Sequence, residues 1–216
     1  LLIASGLIKS SKVSKSEIKE KFRLVKTVVV DLEKDEVVSG VDPEGIDMRA
    51  NAKNPEKSFL VDSDKDIAKI SRVSTLSKIY LISNTSGDVE KIVLPVHGKG
   101  LWSTLYGFLA LDKNKKTIKG LGFYEHGETP GLGGEVDNPN WKSVWVNKEG
   151  LSESWEPVIK IVKGSVDPAN PNAKNMIDGL SGATITSNGV QHLVNFWLGQ
   201  NGFGKVLASL DLEGVL

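Results

Sequence analysis

Cysteine is absent from the 216 residues, so no disulfide framework, thiolate metal site or cysteine nucleophile is available. That absence leaves the compartment open, because secreted proteins need not carry disulfides. Net charge is lacking as well: 27 Lys and Arg offset 27 Asp and Glu, which argues against a nucleic-acid partner. Histidine is scarce, at three residues, and none is paired at zinc-protease spacing. Long apolar runs are missing too. The opening Leu1-Leu2-Ile3-Ala4-Ser5-Gly6-Leu7-Ile8 falls far short of the roughly 20 residues that cross a bilayer. Internal repeats and long disordered tracts are not seen. What remains is the composition of an ordinary globular chain, 39% hydrophobic and 25% charged, long enough for one good core or two small ones.

Glycine, by contrast, is plentiful at 22 residues, and it clusters near polar stretches that look like ligand loops. The first is Asp178-Gly179-Leu180-Ser181-Gly182-Ala183-Thr184-Ile185-Thr186-Ser187-Asn188-Gly189-Val190. It runs into a helical pattern in which Val190, Leu193, Val194, Trp197 and Leu198 share one face, with Asn188, Gln191 and Asn195 on the other side. Four hydroxyls, on Ser181, Thr184, Thr186 and Ser187, therefore sit at or just before a helix N-terminus. Unpaired N–H groups and the helix dipole favour an anion there. Gly179 and Gly182 allow close backbone approach. Two readings fit these residues alone: a helix N-cap, or a site for a phosphate-bearing ligand. A nucleophile elbow needs one more residue between Ser181 and the next Gly, and a P-loop needs a Gly-Lys-Ser/Thr that does not follow.

The second stretch is Glu125-His126-Gly127-Glu128-Thr129-Pro130-Gly131-Leu132-Gly133-Gly134, where a strand pattern ends in a glycine-rich loop. Glu125, His126 and Glu128 offer metal-ligand atoms, but one His without a spaced partner does not build a site. General acid or base work by Glu128 or His126 needs a substrate site, and none is visible. A third stretch, His97-Gly98-Lys99-Gly100-Leu101-Trp102, lies between two strand patterns. Trp102 either packs against the sheet or stacks on a flat ring. The glycines do not complete a dinucleotide fingerprint, and no βαβ unit surrounds them.

Elsewhere the patterns are plainer. Residues 9–26 carry seven Lys and Arg against two Glu, with Ser14 and Glu17 as a capping box and Ile18, Phe22 and Val25 as an apolar stripe. This reads as a solvated helix face, with contact to lipid headgroups as the other reading. Residues 27–30 are β-branched, 31–62 a polar excursion with a short helix near 46–52, and 77–125 antiparallel strands with turns at 85–88 and 112–115. Asn138 and Pro139 open a short helix that turns Trp141 and Trp145 to the core. A strand over 157–163 ends at Lys163, a loop follows over 165–175, and a last short helix covers 203–210. The predicted class is α+β: a twisted, mostly antiparallel sheet flanked by helices.

Asp178 through Thr184 also resembles the flavinylation motif of proteins that carry FMN on a threonine, and Glu128-Thr129-Pro130-Gly131-Leu132-Gly133 resembles the second signature of the same FMN-binding domain family. The continuation from Thr186 to His192, Phe196-Trp197-Leu198-Gly199, Gly202-Phe203-Gly204 and Asp47 through Lys53 are similar to the C subunits of sodium-translocating NADH:quinone reductases. The likeness covers roughly residues 40–210. It implies FMN joined by a phosphoester to Thr184, with Ser181, Gly182, Ala183 and Thr186 around it. Asp178 would be recognised by a separate flavin transferase, and Lys163 would approach the cofactor. Trp102, Glu128, Thr129, Gly131, Leu132 and Gly133 would lie about the flavin ring. From spacing alone Thr186 is a rival acceptor.

The resemblance further implies an electron relay working with other membrane subunits, without a complete active site of its own. It implies a bacterial inner-membrane protein with one N-terminal helix, absent or truncated here, and an extracytoplasmic domain. Residues 1–30 would be the membrane-proximal segment and helix, and 31–216 the FMN-binding domain. Two other readings stand beside this one. One is the G-type subunit of the ion-translocating ferredoxin:NAD reductase, which shares both signatures. The other is a cell-surface binding module with no redox role.

Overall fold

The computed structural model describes residues 1–9 and 12–214; Ser10 and Ser11 of the basic stretch lie outside it. Its centre is a six-stranded antiparallel sheet in the order β2-β1-β5-β6-β7-β8. The strands are β1 (Val25–Asp31), β2 (Glu36–Val38), β5 (Leu76–Ser83), β6 (Val89–Lys99), β7 (Thr104–Asp112) and β8 (Ile118–Glu125). The run from β5 to β8 is a meander, because short turns join strands whose side chains alternate between two faces. β1 runs through residue 30, pairing with β5 along its length, so the expected division of the chain between 30 and 31 falls inside a strand. β3 (Ser58–Leu60) and β4 (Arg72–Ser74) form a small separate ribbon beside the excursion.

Helices close the inner face. α4 (Thr184–Leu198) presents Val190, Leu193, Val194, Trp197 and Leu198 to the sheet, each at most 1% exposed. They meet Ile79, Leu81, Ile92, Leu94, Leu105, Leu109 and Leu111, with α5 (Gly204–Ser209) sealing one end. Burial of each such side chain contributes about 1.5–3 kcal/mol, so this face dominates the fold's stability. The helix lies tight on β6: a Cβ on Gly189 would stand 2.5 Å from the carbonyl oxygen of Lys99. The indole Nε1 of Trp197 donates to the His97 carbonyl at 2.6 Å, so the buried donor is satisfied.

The polar side of α4 does not face water throughout. Gln191 accepts from the Ile161 N–H at 2.7 Å, and Asn195 exchanges two hydrogen bonds with the Ile159 backbone. These side chains dock β9 (Lys160–Val162), which pairs in parallel with β10 (Met176–Asp178). The strand expected over 157–163 is thus shorter: at Ile159 the Asn195 side chain takes the place of a neighbouring strand.

The outer face carries a second cluster of Ile82, Val93 and Ala110, covered by Leu1 and Leu7 and bordered by Tyr80 and Phe108. α1 (Lys15–Phe22) is capped by Ser14, which accepts from the Glu17 N–H, but it buries no residue; Val25 lies in β1 instead of extending the helix stripe. α2 (Met48–Asn51) is the short helix of the excursion. Arg49 reaches from it to the end of β8, bidentate to Glu125 at 2.7 and 2.9 Å and over the Tyr106 ring at 3.7 Å. α3 (Pro139–Ser143) begins at Asn138, whose side chain accepts from the Asn140 N–H, and Trp141 and Trp145 meet edge to face. Among the described residues no helix is long and apolar enough to cross a membrane.

Candidate functional site

α4 starts earlier than its apolar pattern, at Thr184, with Ala183 as N-cap. Alanine has no side-chain acceptor, so the N-cap residue makes no cap bond. The hydroxyls of this stretch therefore lie in or just before the first turn without capping it. Thr184 and Thr186 are two residues apart on a helix, about 200° around its axis, so they face opposite ways. Thr184 is exposed. Thr186 is 1% exposed, and its hydroxyl donates to Glu128 at 2.6 Å. Ser187 is also turned inward, accepting from the Leu180 N–H at 3.0 Å.

Thr184 opens on a cavity of about 820 Å³, lined also by Lys163, Asp178, Ser181, Gly182, Asn140 and Trp141. That volume lies within the range of about 300–1,000 Å³ usual for cofactor sites. Lys163 is exposed just beyond β9, and no hydrogen bond or ion pair engages it among the described residues. Asp178 pins the loop before it, its carboxylate accepting from the Val166 N–H at 2.9 Å and its carbonyl from Trp141 Nε1 at 2.8 Å. Asn140 and Trp141 carry no sequence signal for this role. Their helix was legible from Asn138 and Pro139, but its approach to Asp178 is tertiary.

The other signature builds the adjoining wall. Glu128 is 5% exposed, and its carboxylate accepts four hydrogen bonds. Oε1 takes the N–H groups of Trp102 at 2.9 Å and Ser103 at 3.1 Å. Oε2 takes the N–H of Leu101 at 3.2 Å and the hydroxyl of Thr186. Burial alone would raise this carboxyl. The hydrogen bonds from Thr186, Ser103, Trp102 and Leu101 outweigh it and hold the group below the usual carboxylate range. Thr129 accepts the N–H groups of Leu132 and Gly134 on its carbonyl, folding residues 129–134 into a tight loop. Gly131 in this loop has a positive φ of 75°, and Gly133 is buried against Thr186 and Glu128.

Trp102 does not pack on the sheet: it is 66% exposed, beside the 40% exposed Leu101. His97 and Lys99 belong to β6, so the loop expected over 97–102 shrinks to the turn before β7. Leu132 is 45% and Ile185 is 59% exposed, and a Cβ on Gly182 would stand 3.0 Å from Leu132. The two signatures therefore adjoin through Gly182 and Leu132 and through Thr186 and Glu128. The groups offered as metal ligands part company: Glu125 faces Arg49, His126 faces Asp137 at 2.8 Å, and Glu128 faces backbone.

This donor set fits FMN. An exposed hydroxyl at a helix N-terminus and a lysine suit a phosphate, while exposed Trp102 and Leu132 offer apolar surface to a ring. A family model described as the FMN-binding domain matches residues 100–199. The chain is 49% identical over 182 residues to the C subunit of the Na(+)-translocating NADH-quinone reductase of Pseudomonas aeruginosa, covering 84% of this chain and 69% of that one. It is 40% identical over 217 residues to the protein of the same name from Yersinia pestis, covering 100% of this chain and 79% of that one. Among solved structures, Shewanella oneidensis NqrC matches with a TM-score of 0.86 at 34% identity, over 99% of this chain and 94% of that one. With both signatures on one site and these relatives, the chain belongs to the family of C subunits of sodium-translocating NADH-quinone reductases.

Proposed function

We propose that this chain is a flavoprotein subunit of a sodium-translocating NADH-quinone reductase, carrying one FMN in phosphoester linkage to Thr184 and relaying electrons to and from other subunits. The observation that carries the assignment is the opposite fate of two neighbouring threonines. Thr184 is exposed on the cavity, whereas Thr186 is buried with its hydroxyl engaged by Glu128. In the linkage the Thr184 oxygen bonds to phosphorus in place of a phosphate hydroxyl, which leaves with the threonine hydroxyl proton, formally as water.

When bound, FMN supplies the redox chemistry. The chain's own residues do the holding. The N-terminus of α4 and Lys163 would hold the phosphate, Ser181 and Gly182 keep the approach to Thr184 uncrowded, and exposed Trp102 and Leu132 would offer apolar surface to the ring. The attachment is assigned to a flavin transferase, with Asp178 in its recognition. The remaining partners are the membrane subunits of the same complex, and the FMN domain, with β1 as one of its strands, is assigned to the extracytoplasmic side of the inner membrane, with the stretch before β1 nearest the membrane.

The test is intact mass and visible absorbance after co-expression with a flavin transferase and export. Attachment adds about 440 Da, and flavin colour persists after denaturation. Thr184→Val is expected to abolish the adduct, and Thr186→Val to retain it. Flavin still attached in Thr184→Val would move the linkage elsewhere, and absence of flavin from the wild type would remove the relay role.

A further inference from the structure

Glu128 comes from the flavin signature, yet its carboxylate faces protein. Four donors converge on two oxygens: three consecutive backbone N–H groups, of Leu101, Trp102 and Ser103, and the Thr186 hydroxyl. At 5% exposure, and with each oxygen already accepting two hydrogen bonds, it has little left to offer a ligand. The donors belong to different parts of the chain. Leu101, Trp102 and Ser103 form the turn between β6 and β7, and Thr186 sits in the first turn of α4, 58 residues beyond Glu128. The space around the carboxylate is closed by two glycines. A Cβ on Gly100 would stand 2.6 Å from Oε1, and one on Gly133 would stand 2.9 Å from Oε2.

Neighbouring bonds hold Glu128 itself in place. The Gly127 N–H donates to Ser103 Oγ at 2.7 Å. The Glu128 N–H donates to His126 Nδ1 at 3.2 Å, which leaves the hydrogen of that ring on Nε2, facing Asp137. The backbone of the flavin loop and the backbone of the Trp102 turn are thus tied to one another from both directions.

We infer that Glu128 is a positioning residue, whose carboxylate fixes the turn bearing Trp102 against the first turn of α4 and so sets the exposed indole relative to the exposed hydroxyl of Thr184. The consequence for a bound ring rests on the FMN reading above; the clamp itself does not. Trp102 and Leu101 are largely exposed, so little apolar packing holds this turn, and its backbone N–H groups are its main attachment. A negative charge in a ring of N–H donors suits the role, because hydrogen bonds to an ionised acceptor are about twice as strong as neutral ones.

The test begins without flavin. Amide hydrogen exchange of the apo protein is measured residue by residue for wild type, Glu128→Ala and Glu128→Gln. Glu128→Ala removes every acceptor, and exchange at Leu101, Trp102 and Ser103 is expected to rise at least tenfold, with the β5–β8 meander unchanged. Glu128→Gln keeps the shape but exchanges one acceptor oxygen for a donor. Its nitrogen is best placed at the Oε2 position, where the Thr186 hydroxyl can turn to accept. Exchange should then rise most at Leu101 and less at Trp102 and Ser103. If Glu128→Ala fails to fold, the graded pattern in Glu128→Gln decides.

Protection unchanged at all three amides, or raised exchange spread evenly over the sheet, overturns the clamp. In flavin-loaded protein, fluorescence per attached flavin reports stacking by Trp102 and is expected to rise several-fold in Glu128→Gln. Unchanged fluorescence with loosened amides overturns the link to the ring while leaving the clamp. Loss of flavin attachment in the wild type would instead strike the reading above, and the apo exchange would still stand.

Discussion

The two walls of the site differ in how many of their polar groups already have partners. On the Glu128 wall nearly every donor and acceptor is matched inside the protein: four bonds to one carboxylate, Gly127 to Ser103, His126 to Asp137. On the Thr184 wall the side chains of Thr184, Ser181 and Lys163 are exposed and make no hydrogen bond among the described residues. A satisfied wall gives geometry, because each bond removes a degree of freedom. An unsatisfied wall gives affinity, because its groups exchange water for a ligand at little cost. A cofactor site needs both, and the sequence supplies one signature for each.

The sharpest way to break this contrast is steric. Gly133→Ala puts a Cβ 2.5 Å from the Thr186 oxygen and 2.9 Å from Glu128 Oε2, so it is expected to destabilise by about 1–3 kcal/mol. Gly164→Ala, at the cavity, meets nothing within 4 Å and bears only its positive φ of 79°, at a cost of about 1 kcal/mol. Urea unfolding of both variants measures the difference. An equal cost for the two would mean that the Glu128 wall is not tightly built.

Acid is a gentler probe. The folded-state pKa of His97 is lowered to about 4, first by burial and then by Arg49. Above pH 6.5 neither state binds the proton. As pH falls towards 4, the unfolded chain takes it up first, and stability drops by at most about 3 kcal/mol. Glu128 acts in a lower window. Its carboxyl is depressed, so its contribution is present above the unfolded value near 4.5 and is lost as pH falls through the folded one. Melting temperature against pH should therefore fall in two stages; His192, also held below its ordinary value by burial and by Lys69, adds to the first, so His97→Asn should shrink that stage while leaving the second. A single stage surviving His97→Asn unchanged would reassign the upper window.

The smallest effect on the fold is expected at Lys163. Lys163→Ala should change stability by less than about 0.5 kcal/mol, since the side chain is exposed and unengaged. In a Thr184→Val background it should weaken non-covalent FMN binding by about tenfold at low salt, and less at high salt. Equal loss of stability and binding would place Lys163 in the fold instead of at the ligand.

Much of this was legible in the chain. Short turns between alternating strands gave the meander from β5 to β8, and Ser14, Asn138 and Pro139 marked helix starts that the structure keeps. These signals are local, since strand alternation and capping depend on neighbours within a few residues. The partners of the polar side of α4 were not legible, for the same reason. Gln191 and Asn195 have the spacing of a solvated face, but they satisfy the Ile159 and Ile161 backbone from elsewhere in the chain.

The sequence by itself determined an α+β class, a helix entered through hydroxyl residues, and two signatures of one cofactor family. The resemblance favoured Thr184, but spacing kept Thr186 as a rival, because two threonines two positions apart look alike until the start of the helix is known. Tertiary structure separated them. The helix begins at Thr184, which turns the two side chains to opposite sides, and the inward one meets a carboxylate 58 residues away. Spacing along a chain records which residues share a helix face; only folding decides what that face meets.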